Sequence, residues 1–109
     1  MAHDQSLAER IRKALAGMPG ITEQQKMGGI SFMKKGHVVV RAHSDGSMML
    51  RCDPEMTDDL LRKKGAQRFA MKGKANMRGW LIITAEGTAT DKALAFWIDV
   101  ALAFNDMLA

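Results

Sequence analysis

The sequence has one cysteine, Cys52, two prolines and no tyrosine. A lone thiol cannot close an internal disulfide, so an ordinary core must hold the fold, as suits a reducing compartment. Nothing near Cys52 in the sequence would depress its pKa, and its place in a β-rich run reads as a small core residue rather than a reactive thiol. No stretch approaches the roughly 20 consecutive apolar residues that cross a bilayer. Residues 1–13 carry Asp4, Glu9, Arg10, Arg12 and Lys13, which leaves no apolar segment of signal-peptide type. The expectation is a protein of the bacterial cytoplasm with no membrane partner.

Catalytic signatures are missing as well. The stretch from Gly65 to Lys74 lacks the spacing and the hydroxyl of a phosphate-binding P-loop, and there is no Gly-x-Ser-x-Gly elbow. His37 and His43 sit six residues apart in one extended run, about 20 Å at the rise of a strand, too far to share a metal. Asp58 and Asp59 are adjacent on an expected helix and point different ways, while Asp53 and Glu55 belong to that helix's start. No enzymatic activity, cofactor or metal is expected.

What is present is one domain's worth of chain. Its 109 residues, 47% apolar, suffice for one core without staples. Residues 5–16 read as an amphipathic helix with Leu7, Ile11, Ala14 and Leu15 on one stripe, capped by Asp4 or Ser6. Ile21 to Lys26 reads as a polar connector. Gly28-Gly29 marks a bulge or a close backbone approach before a strand at Ile30–Met33. Lys34-Lys35-Gly36 turns into a hairpin spanning His37 to Cys52, with Asp45-Gly46 as its turn signal. With those two as the central turn residues, Val40 faces Arg51, Arg41 faces Leu50 and Ala42 faces Met49. Both faces then come out mixed apolar and basic.

Asp53-Pro54-Glu55 opens a middle helix that ends at Gly65, with Lys63 and Lys64 suiting its negative end. Ala66 to Met71 reads as a short edge strand, and Arg78 to Thr84 as a central one with Trp80 in the core. Thr90 caps a last helix over 91–108. The fold class is therefore α+β: a three-stranded antiparallel meander plus one or two further strands, flanked by N-terminal, middle and C-terminal helices.

Two features point outward. The net charge is +4, yet residues 62–78 hold seven bases and no acid, leaving −3 for the rest. Arg62, Lys63, Lys64, Arg68, Lys72, Lys74 and Arg78, with Lys34 and Lys35 nearby, are expected to neutralise phosphates of DNA or RNA. The last helix is apolar nearly all round. Leu94, Trp97, Ile98, Ala101, Phe104 and Leu108 make one face, and Phe96, Val100, Ala103 and Met107 a second. The second face suits a homodimer or a regulatory protein partner. Nucleic-acid binding and protein docking stand as alternatives.

Several of these stretches, taken together, resemble the TfoX N-terminal domain family. They are Leu7 to Leu15, Ile21-Thr22-Glu23, the block Met27-Gly28-Gly29-Ile30-Ser31-Phe32-Met33, Gly36, Met49-Leu50-Arg51, the block Met77-Arg78-Gly79-Trp80, and Thr90-Asp91 before an apolar helix. Lys26 and Met27 stand where the family usually has Met-Phe, and the loop before Met77 is one residue longer than usual. The resemblance implies a YjbR-like α+β domain and a role in transcription regulation of competence genes. It implies no agreed enzymatic activity. Full-length members add a helix-hairpin-helix-type domain, and a standalone first domain is the expectation here.

Overall fold

The computed structural model describes residues 5–26, 28–69 and 78–108. It is an α+β fold on a six-stranded antiparallel sheet. In chain order the elements are α1 (Gln5–Ala14), β1 (Thr22–Lys26), β2 (Gly29–Lys34), β3 (His37–Ala42), β4 (Met48–Arg51), a 3-10 turn (Pro54–Met56), α2 (Thr57–Leu60), β5 (Ala66–Arg68), β6 (Trp80–Ile83), a second 3-10 turn (Ala85–Thr88) and α3 (Asp91–Asp106). The strand order is β1-β2-β3-β4-β6-β5. The meander is β2-β3-β4. β6 lies inside the sheet, and the three-residue β5 forms its edge.

The β3–β4 hairpin differs from expectation by one residue, and the reason is local. Its turn holds three residues rather than two. His43 N–H donates to Ser47 O at 2.9 Å, Gly46 N–H donates to His43 O at 3.1 Å, and only Gly46 has positive φ, at 88°. Asp45 accepts from the Ser47 N–H at 2.9 Å and from its hydroxyl, which closes the loop. Val40 therefore faces Leu50, Arg41 faces Met49 and Ala42 faces Met48. A slip of one residue exchanges faces. Instead of two mixed faces, one is wholly apolar: Val40, Ala42, Met48 and Leu50, continued by Leu81 and Ile83 of β6, are fully buried. The tight two-residue turn lies at Lys35-Gly36, where both residues have positive φ, 58° and 78°.

The stretch read as a polar connector is the edge strand β1. Its Thr-Glu-Gln-Gln-Lys sequence is exposed throughout, so no apolar alternation marks it. It is held by the backbone ladder to β2, and at one end by Arg12 of α1, which donates two hydrogen bonds of 2.8 Å to the Glu23 carboxylate. That pairing holds Glu23 below the usual carboxylate range.

α1 buries Leu7, Ala8 and Ile11, Leu15 just past its end is buried with them, and Ala14 faces solvent. The capping expected from Asp4 or Ser6 lies outside the described side chains. α3 starts where expected: Thr90 Oγ1 accepts from the Ala93 N–H at 3.0 Å. It buries Leu94, Trp97, Ile98 and Ala101 against the same core. Phe104 and Leu108 are only half-buried, and Asn105 takes the inner position, donating from Nδ2 to Lys34 O at 3.1 Å. Cys52 is fully buried and its thiol is pushed up by that burial.

The middle helix is much shorter than expected. After the Asp53 cap, which accepts from Glu55 N–H at 3.0 Å, only one 3-10 turn and the four residues of α2 form. Lys63 and Lys64 fall beyond its end, so they do not complement a helix dipole.

Candidate functional site

Of the seven bases of 62–78, five fall on described residues, and their partners differ. Arg68, at the end of β5, lies 3.5 Å from Asp58. Arg78, in the turn before β6, donates to Pro54 O at 3.0 Å. Lys34 lies 3.8 Å from Asp106 at the far end of α3, with Lys35 in the adjoining turn. Along the helix, Phe96 and Asp106 are separated by about 15 Å at 1.5 Å per residue. Lys72 and Lys74 lie outside the described residues.

Arg62, Lys63 and Lys64 do come together, in the turn between α2 and β5, and a glycine contact explains where. Gly65 has φ +82°, and a Cβ there would lie 2.6 Å from the Gly87 Cα; a Cβ on Gly87 would lie 2.7 Å from Lys64 O. Thr84 N–H donates to Gly65 O at 2.9 Å. Two backbone segments without side chains thus meet face to face, which presses the basic turn against the start of α3. There Lys92 joins the three bases, a residue that sequence reading did not single out because the topology brings it in. Lys63 Nζ lies 4.7 Å from the Phe96 ring centre. Between these elements opens a cleft of about 670 Å³. The four cations and Glu86 line it, with Phe96 and Trp97 among its apolar surfaces.

The second face of α3 is open. Phe96 is 38% and Met107 66% exposed, Ala103 is exposed and Val100 half-buried. Met56, 45% exposed, lies alongside. These residues line a shallow groove of about 280 Å³ whose acids are Asp53 and Asp99. The spacing of Phe96, Val100, Ala103 and Met107 is four, three, four, the seam by which one helix accepts another.

The two sequence blocks that carry the family resemblance have structural work. In the first, a Cβ on Gly29 would lie 2.8 Å from the Arg41 guanidinium, which donates to Ser31 Oγ at 2.8 Å and to Lys26 O. In the second, Gly79 N–H donates to Thr57 Oγ1 at 2.9 Å, and Gly79 O accepts from Cys52 N–H at 2.8 Å. Thr57 Oγ1 in turn donates to Pro54 O at 2.8 Å, so this buried hydroxyl joins three segments. Trp80 is half-buried rather than a core residue: its ring centre is 6.2 Å from that of Phe69, and Arg51 lies over it at 4.8 Å. Among the described residues no three His, Cys, Asp or Glu side chains gather as a metal site.

A small α+β domain with a closed apolar core is the class these features define. The family model of the TfoX N-terminal domain matches residues 13–105, so the chain belongs to the TfoX N-terminal domain family. No curated protein matches the chain.

Proposed function

We propose that this domain is a non-catalytic protein-interaction module of regulatory type, and that the outer stripe of α3 accepts an amphipathic helix with basic flanks. The observation that carries this is the heptad-spaced run Phe96, Val100, Ala103 and Met107, of which all but the half-buried Val100 are exposed. Burying such a stripe against a second helix removes apolar surface from water at about 25 cal/mol per Å². The groove's own acids, Asp53 and Asp99, favour a partner with Lys or Arg beside its apolar seam. A second copy of the chain would bring its own Asp99 and Asp106 to the seam edge, which sets acid near acid.

The test uses two synthetic helices with the same leucine seam, one flanked by lysine and one by glutamate. The lysine-flanked helix should bind, and Val100→Asp should weaken it by about tenfold or more, the usual cost of a charge in a docking seam. Equal binding of both helices, or no effect of Val100→Asp, would sink the reading. A dimeric mass in light scattering that Val100→Asp reduces to a monomer would make the second copy the partner instead.

The nucleic-acid reading rests on a different observation: Arg62, Lys63, Lys64 and Lys92 are exposed, and neither Lys64 nor Lys92 has an acidic partner among the described residues. Neutralising about three to five phosphates would give a log–log salt slope of roughly −3 to −4.5 on duplex DNA. A flat salt response would remove that reading.

A further inference from the structure

We propose that the cleft where the α2–β5 turn meets α3 binds a small phosphorylated compound with a planar ring, of the nucleoside phosphate class. The inference does not rest on the helix-docking reading. Four cations from two separate segments, Arg62, Lys63, Lys64 and Lys92, converge on one concavity against a single acid, Glu86. The nearest acid to Arg62 is Asp59 at 3.9 Å, and both side chains are more than four-fifths exposed, so that pair neutralises little. The excess positive charge suits a head carrying two or more negative charges rather than a lone carboxylate.

The rest of the lining is apolar and aromatic. Phe96 offers a partly exposed ring with Lys63 already above it, set edge-on to Trp97 with ring centres 5.1 Å apart. A planar ring placed there would stack on Phe96 while its phosphates reach Lys64 and Lys92. The volume, about 670 Å³, falls in the range of small-molecule sites. The Gly65–Gly87 contact fixes its walls, because the two turns touch through backbone alone.

The test titrates the whole chain with ADP, adenosine and pyrophosphate at about 50 mM salt, where screening is modest. ADP should bind with a dissociation constant below about 1 mM. Adenosine and pyrophosphate should each bind at least about tenfold more weakly, since each lacks half of the recognised chemistry. The double variant Lys64→Glu, Lys92→Glu, which changes only exposed side chains, should weaken ADP by about tenfold or more with an unchanged melting profile. Absence of ADP binding at about 1 mM overturns the proposal, as does binding that the double variant leaves intact. Pyrophosphate as tight as ADP would reduce the cleft to a charge patch without ring recognition. Duplex binding without ADP binding would return these cations to the nucleic-acid reading.

Discussion

Gly87 sits in the backbone contact that shapes the cleft, and it isolates that contact from backbone strain. Its φ is not positive, so alanine there tests close approach alone: the added Cβ would lie 2.6 Å from Ile83 Cγ2 and 2.7 Å from Lys64 O. One neighbour is core and the other is main chain, so neither yields easily. Gly87→Ala should cost about 1–3 kcal/mol in urea unfolding, the range for overpacking. It should also weaken any ligand of the cleft. Sequence alone showed Glu86-Gly87 only as a turn, because a glycine needed for a long-range contact looks like any turn glycine. His43 is a second residue whose environment comes from the fold. Burial, and then the nearby Arg41 charge, hold its pKa below the ordinary 6.5. The unfolded chain therefore takes up the proton first. Stability is full above about pH 6.5 and falls as pH drops from there through the folded pKa. Thermal melts between about pH 7.5 and pH 5 should show this decline, and His43→Asn should flatten it.

At the scale of elements, strong local signals were legible and weak ones were not. α3 begins at Thr90 as its cap predicts, and Thr90→Ala should cost about 1 kcal/mol, measured by the chemical-denaturation midpoint. The three-residue β5 falls inside the edge strand expected over Ala66 to Met71, and the meander and the interior strand β6 follow from apolar runs between turn residues. β1 did not, because Thr22–Lys26 is exposed on every residue and carries no periodic signal. The hairpin register turned on one residue: Asp45-Gly46 marks the loop, but the Asp45–Ser47 bonds make it three residues long. The short α2 is an override of local preference by tertiary contact. Helix-forming residues run on to Lys64, yet the chain must turn before Gly65 to meet Gly87. That shortening is what frees Lys63 and Lys64 from a helix end.

For the whole molecule, the described members of the expected basic segment take different partners. Arg68 and Arg78 hold neighbouring segments, Lys34 stands at the opposite end of α3, and among the described residues Arg62, Lys63 and Lys64 are the predicted cations that line the cleft. Helical spacing alone puts Phe96, Val100 and Ala103 on one side of α3, with Met107 at its C-cap. The two outward regions share a single exposed aromatic, Phe96, which lines both the cationic cleft and the acidic-edged groove. Val100 and Met107 line only the groove; Lys64 and Lys92 line only the cleft. Sites with no shared partner act additively, while a side chain common to both couples them. Val100→Asp should therefore leave the ADP constant within about twofold, and Lys92→Glu should leave helix binding within about twofold. Phe96→Ala should weaken both by about fivefold or more, through lost stacking on one side and lost seam packing on the other. Titrating one ligand in the presence of the other completes the test. If both seat against Phe96, saturating helix should raise or lower the ADP constant, and ADP must change helix affinity by the same factor. Two constants that ignore each other, with Phe96→Ala affecting only one, would separate the regions and remove any link between ligand and partner along α3.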